Sequence, residues 1–279
     1  MKRIICFLWI FLLAAPNAVQ AGKTFKILVL GNSFSEDAVE QNLHELAAAA
    51  GIKTVIGNMY IPGCPLHLHM QNAEQDAGAY RYRKIGTDGI MEQIDSVRIS
   101  SALTDESWDY VSVQQVSHLS GLYETYQPYL HRLIAYIRAR VPHKTKIVFH
   151  QTWAYAQNST REGYENYGKN QLVMFDAILN ATERATKEER IKVVIPVGTA
   201  IQNARTSSYG DTMTRDGFHL DLTYGRYTAA CTWFAKLFRR KAVGNAYAPK
   251  GMTHNQVLAS QEAADAAVNN PKVITVIER

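Results

Sequence analysis

The sequence predicts a three-layer α/β/α sandwich built on a mainly parallel sheet of five strands. Three observations lead there. Short apolar runs that stop at Gly, Pro or a polar residue recur along the chain, and amphipathic stretches with helical spacing separate them. Strands joined through helices pair in parallel by right-handed crossovers, which puts helices on both faces of the sheet. No Pro-, Gly- or Ser-rich linker interrupts the alternation, and 17 Gly with 8 Pro in 279 residues is ordinary usage, so residues 22–279 are expected to form one domain.

The first 21 residues are set apart. Lys2 and Arg3 precede an apolar stretch from Ile4 to Ala15, and Val19-Gln20-Ala21 offers a cleavage site after Ala21, the pattern of a signal peptide. The apolar run falls short of the roughly 20 residues that span a bilayer. An exported protein, periplasmic or extracellular, with no stable membrane insertion is therefore expected. Thr24 to Gly31 reads as the first buried strand. Val39, Leu43, Leu46, Ala47 and Ala50 recur on one face of a helix stopped by Gly51. Lys53 to Tyr60 is the second strand, ending at the turn Pro62-Gly63. Residues 67–90 are polar, rich in Tyr, Arg and Gly and without a clean period, and read as an excursion over the ligand-binding face. Trp108 to Gln114 is the third strand. Tyr126, Leu130, Leu133, Ile134 and Ile137 form a helical stripe with Pro128 in its first turn. Lys146 to His150 is the fourth strand, a long helix covers about 168–186, and Lys192 to Val197 is the fifth strand. Tyr227, Ala230, Cys231, Phe234 and Phe238 mark a further helix, and Asn255 to Asn269 a last one at the surface.

Charge narrows the function classes. Lys and Arg number 30 against 25 Asp and Glu, a net +5 that falls to +3 once Lys2 and Arg3 leave with the signal peptide. The excess is spread along the sequence, which gives no nucleic-acid footprint, and no such partner is expected. Of three cysteines, Cys6 lies in the leader. Cys64 and Cys231 can pair but make no disulfide framework, and Cys231, on an apolar helical face, reads as a small buried hydrophobe. No CxxC pair or close His/Cys cluster points to a metal, and no cofactor is expected.

Ligands of parallel sheets sit at the carboxyl ends of the strands, so the loops there carry the candidate residues. Directly after the first strand comes Gly31-Asn32-Ser33-Phe34-Ser35. Ser33 is placed to be a nucleophile with a helix N-terminus behind it, or else Ser33 or Ser35 simply caps that helix. The sequence is neither a G-x-S-x-G elbow nor a G-x-G-x-x-G fingerprint. After the fifth strand comes Asp216-Gly217-Phe218-His219. Asp and His three residues apart can supply the base and its orienting carboxylate for a seryl nucleophile; the alternatives are a solvated Asp-Gly turn or two metal ligands.

With both blocks in one chain, residues from about 24 to 240 resemble the SGNH (GDSL-type) hydrolase superfamily, whose fold is flavodoxin-like, and more closely its bacterial DUF4886-like branch. The resemblance implies that Ser33 is the nucleophile and that Asp216 and His219 complete its triad. It also implies that the Ser33 and Gly63 N–H groups serve an oxyanion hole. Two departures stand out. Asn32 replaces an Asp of the broad family, and Val113-Gln114-Gln115-Val116-Ser117 replaces Gly-x-Asn-Asp. Gln114 then takes the place of the missing Asn as side-chain donor, with Gln115 next to it.

Weaker candidates surround these. His150 and Trp153 follow the fourth strand and can line a substrate groove, Trp153 stacking on a sugar ring or filling the core. His67 and His69 read as loop residues. Arg81 and Arg83 in the Tyr80-Arg81-Tyr82-Arg83 run can bind an acidic glycan, or the run is a solvated hairpin. The expectation is an exported serine esterase acting on an ester-substituted glycan or small ester, with acetyl removal ahead of methyl-ester cleavage on uronic acids. A catalytically silent carbohydrate-binding protein on the same fold is the alternative.

Overall fold

The computed structural model describes residues 23–279; the expected leader, with its cleavage site and Cys6, lies outside them. The elements run β1 (Thr24–Gly31), α1 (Ser33–Val39), α2 (Leu43–Ala49), β2 (Lys53–Tyr60), α3 (Leu66–Glu74), β3 (Tyr80–Ile85), β4 (Met91–Val97), α4 (Ile99–Asp105), β5 (Tyr110–Val113), α5 (Tyr129–Arg138), β6 (Lys146–His150), α6 (Gln171–Glu188), β7 (Val193–Ile195), α7 (Val197–Ala204), α8 (Tyr224–Phe238) and α9 (His254–Asn269). They form an α/β sandwich around one sheet in the order β4-β3-β2-β1-β5-β6-β7. The five expected strands are all present and mutually parallel, and β3 and β4 extend the sheet antiparallel to seven strands.

Strand β1 shows why a continuous apolar run is needed. Ile27 and Val29 face one core and Leu28 and Leu30 the other, as the two-residue period of a strand requires. The first core joins β1 to α1, α2, α7, α8 and α9. The second joins it to α3, α4 and α5. Helix α6 gives Met174, Phe175 and Ile178 to one and Ala181 and Ala185 to the other, and so closes the β7 edge of the sheet.

Several expectations need correction. The excursion over 67–90 is ordered as α3 followed by a β3–β4 hairpin, so the hairpin reading of Tyr80 to Arg83 is the right one. Tyr80 and Tyr82 alternate inward, whereas Met91 to Ser96 are exposed and, with Met91 and Ile94 three apart, offer no strand-period alternation. His67 and His69 lie on α3, not in a loop. His69 is buried with Nδ1 2.9 Å from the Tyr80 hydroxyl, and burial lowers its pKa to about 3. The stripe from Val39 to Ala50 is broken by Asn42 at φ 67°, where its side-chain oxygen accepts the Tyr247 hydroxyl at 2.9 Å. Val197 starts α7 instead of ending a strand. Helix α9 is no surface helix, since Ala259, Ala263, Ala264 and Ala267 bury it against α7 and α8. Cys64 and Cys231 are both free and buried, and burial pushes both thiols up. No described helix is long and apolar enough to cross a membrane.

Candidate active site

Gly31 ends β1 because nothing larger fits: a Cβ there would stand 2.3 Å from Ser35 Oγ. The helix cap that follows is Asn32, whose Oδ1 accepts the Phe34 N–H at 3.0 Å. Capping is therefore done by Asn32, and Ser35 is buried between Asn32 O (2.7 Å) and Asn58 Oδ1 (2.9 Å). Ser33 is left half-buried with its hydroxyl uncommitted to the backbone. It meets His219 Nε2 at 2.9 Å.

The other half of the arrangement is a tight turn. Asp216 Oδ1 accepts the N–H groups of Phe218 (3.2 Å) and His219 (2.7 Å), an Asx-type turn that brings its Oδ2 to 2.6 Å from His219 Nδ1. Gly217 has φ 86°, a conformation that favours glycine. Burial pulls the Asp216 carboxyl upward, but the hydrogen bonds from the His219 ring and from the two N–H groups outweigh it and hold the pKa below the ordinary value. An ionised Asp216 fixes the proton on Nδ1. His219 Nε2 is then an acceptor facing the Ser33 hydroxyl.

Two ties between α1 and this turn set the Ser33–His219 distance, and sequence reasoning assigns neither. Asp37, one turn beyond Ser33, is fully buried. Its Oδ2 accepts Leu220 N–H at 2.8 Å, and its Oδ1 accepts Arg226 Nε at 2.8 Å and Arg215 Nη1 at 3.1 Å. Burial pushes the Asp37 carboxyl up against the opposing pull of Arg226 and Arg215. The second tie is Trp153. Its ring stacks on Phe34 at 3.9 Å and its Nε1 donates to Phe218 O at 2.7 Å, so it joins the neighbour of Ser33 to the neighbour of His219. Trp153 is wholly buried, which corrects its reading as a sugar platform.

The third block is also corrected. Gln114 is fully buried; Nε2 donates to Asn32 Oδ1 at 3.0 Å and Oε1 lies 2.8 Å from His150 Nδ1. Its amide braces the Asn32 cap from below and does not face a ligand. His150 is equally buried, packed on Trp153 and Trp233, and burial lowers its pKa to about 3, so it is neutral and lines no groove. Gln115 is spent on loop contacts: Oε1 accepts Leu66 N–H (3.0 Å) and Val116 N–H (2.9 Å), and Nε2 donates to Thr125. Gln114→Ala is accordingly expected to act on stability, by about 1–3 kcal/mol for the stranded polar partners, and to lower kcat less than the loss of an oxyanion donor would. Urea unfolding beside steady-state kinetics separates the two effects.

What remains for an anion is backbone. Among the described residues, the Ser33 and Gly63 N–H groups have no hydrogen-bond partner. Gly63, at φ 60° in the exposed turn after β2, is held level with Ser33 by the Asn32 Nδ2 donation to Cys64 O at 3.0 Å. Arg83 is not available to a ligand, being paired with Glu40 (2.9 Å) and Glu36 (3.4 Å) and stacked on Tyr60. Arg81 is exposed opposite Tyr60, at the same end of the sheet. Arg161 lies over the Phe218 ring, which also packs on the His219 imidazole and on Tyr155, and is a rim residue that no sequence signal marks. A groove of about 430 Å³ runs alongside Asp216, lined by Asn158, Ser159, Thr160, Thr212 and Thr214.

The comparisons agree with this fold. The family model described as "Domain of unknown function (DUF4886)" matches residues 26–268. A crystal structure of a DUF4886 family protein from Bacteroides uniformis is 51% identical, covers 91% of this chain and 98% of its own, and superposes with a TM-score of 0.91. A candidate SGNH hydrolase from Slackia heliotrinireducens is 19% identical, with 77% of this chain and 100% of its own covered and a TM-score of 0.54. An α/β hydrolase, LAE5, from the metagenome of Lake Arreo is 12% identical, covering 76% and 94%, at 0.51. Among curated proteins, none matches the chain. The fold is that of the SGNH hydrolases.

Proposed function

The chain belongs to the DUF4886 family, and from the site it carries we propose that it is a serine esterase that removes short acyl groups, acetyl first, from a glycan outside the cytoplasm. The observation that carries the reading is the continuous chain Ser33 Oγ–His219 Nε2–His219 Nδ1–Asp216 Oδ2, at 2.9 and 2.6 Å across its two hydrogen bonds. Ser33 Oγ attacks the ester carbonyl as His219 Nε2 takes its proton. Asp216 holds the imidazole tautomer and stabilises the imidazolium. The oxyanion is met by the Ser33 and Gly63 N–H groups. His219 returns the proton to the leaving alcohol, and water then cleaves the acyl-enzyme by the same steps in reverse.

Substrate size follows from the lining. Hydroxyl and amide groups, with the charged Asp211 and Arg215, border the groove beside Asp216. A long acyl chain gains about 0.8 kcal/mol per buried CH₂ only against a continuous apolar wall, and hydroxylated surroundings suit sugar rings better. With Arg83 committed to Glu40 and Glu36, Arg81 and the rim residue Arg161 are left to hold a neighbouring uronate, which ranks methyl-ester cleavage second. The signal-peptide reading of residues 1–21 supports the extracellular setting. Rates on p-nitrophenyl acetate and octanoate, then on acetylated xylan and methylated pectin, test the proposal. Acetate ahead of octanoate with acid released from the xylan is expected; preference for octanoate with no release from either polymer would sink it.

A further inference from the structure

The opposite pole of the sheet carries a second groove. Tyr110 and Lys146 open β5 and β6, Lys192 precedes β7, and α8 ends above them with Lys236, Arg239, Arg240 and Lys241. Together with Asp265 of α9 these residues line a cavity of about 410 Å³. Its lining holds six cations and a single carboxylate, an excess as large as the formal +5 of the whole chain. Among the described residues none of the six is ion-paired. Asp265 accepts the Ala242 and Val243 N–H groups, and Asp109, next to Tyr110, is taken by Lys23 at 2.8 Å.

Cations at a helix C-terminus are favoured by its dipole, which accounts for Lys236 and Arg239. It does not account for Lys146 and Lys192, which come from strand starts on the other wall. Lys236 is half-buried beside Arg239, a like charge, and burial with that neighbour lowers its pKa. Gathering unpaired cations around a concavity costs self-repulsion and concentrates positive potential there, an arrangement that attracts a ligand with several negative charges.

We propose that this groove binds a segment of an acidic polysaccharide, one bearing carboxylate or sulfate groups along its chain. The shape favours an extended polymer over a membrane, since the cations wall a groove instead of capping a flat face. The lining holds one aromatic ring, Tyr110, and single-stranded nucleic acid binds on runs of stacking aromatics.

The test uses the mature protein with polygalacturonate and heparin as probes, and neutral xylan, a single-stranded oligonucleotide and anionic phospholipid vesicles as comparisons. Binding to both acidic glycans is expected, weakening as salt rises from about 50 to 200 mM through loss of counterion release. Lys236→Glu/Arg239→Glu/Lys241→Glu is expected to weaken it by roughly tenfold or more. Because Lys236 is half-buried, Lys146→Gln/Lys192→Gln/Arg240→Gln, all at exposed positions, serves as a second variant and is expected to weaken it several-fold. Both variants should keep the activity of the unaltered protein on a small ester, and Ser33→Ala should bind the glycans unchanged, so this site and the esterase reading can fail separately. Equal binding by both charge variants, no binding by the unaltered protein, or tighter binding to the oligonucleotide or vesicles than to either glycan would overturn the assignment.

Discussion

Ser33→Ala is expected to reduce ester hydrolysis to background, a loss of about 10⁶ in kcat by analogy with other seryl triads. Among the described residues the hydroxyl's one partner is His219 Nε2, so its removal breaks no backbone contact and the unfolding transition should not move. A fluorophosphonate should label Ser33 in the unaltered protein, and intact mass after digestion reads it directly. Full turnover in the alanine variant would place the nucleophile elsewhere. Absence of both labelling and hydrolysis on every ester would favour the alternative of a carbohydrate-binding protein that keeps the fold without the chemistry.

The parts legible in the sequence are those whose signal is local. β1, β2 and β6 have the bounds that the sequence predicts, because both faces of each strand are buried past its first residues and nearly every residue contributes. Ser33, Asp216 and His219 stand out because strand-end loops and a three-residue Asx turn are local devices. Helix α7 escapes the sequence because it is only eight residues long and begins directly at Val197, which reads as the end of the strand before it, although Val197, Ala200, Ile201 and Ala204 do carry helical spacing. Strand β4 escapes it because it has almost no buried face. Gln114 is misleading because its amide chemistry suits a donor role, and only the packing shows that Asn32 and His150 occupy it. The basic groove is only half legible: Lys236, Arg239, Arg240 and Lys241 cluster in sequence, but Lys146 and Lys192 join them only through the order of the strands.

Asp37 is the residue whose replacement should cost the most stability. Its carboxylate is buried, and it joins the Leu220 N–H to two guanidiniums, Arg226 within 2.7 Å and Arg215 at 3.1 Å. Asp37→Asn keeps the shape but leaves both guanidiniums facing a neutral amide. Breaking a buried ion pair from one side typically costs about 3–5 kcal/mol, because the uncompensated charge stays behind. For a chain of this size that corresponds to a fall of roughly 10 °C in Tm. The activity loss should fall on kcat more than on KM, since what slackens first is the turn that holds His219 against Ser33, and of the groove beside Asp216 only the Arg215 wall loses a contact. Replacing the cluster together, as Asp37→Leu/Arg215→Met/Arg226→Met, should recover much of the stability, because no charge is then stranded, but little of the kcat, because the Leu220 N–H has lost its acceptor. Calorimetry and steady-state kinetics on the two variants check both halves. An Asp37→Asn variant that melts and turns over like the unaltered protein would mean that Trp153, stacked on Phe34 and bonded to Phe218, suffices to hold the turn in place.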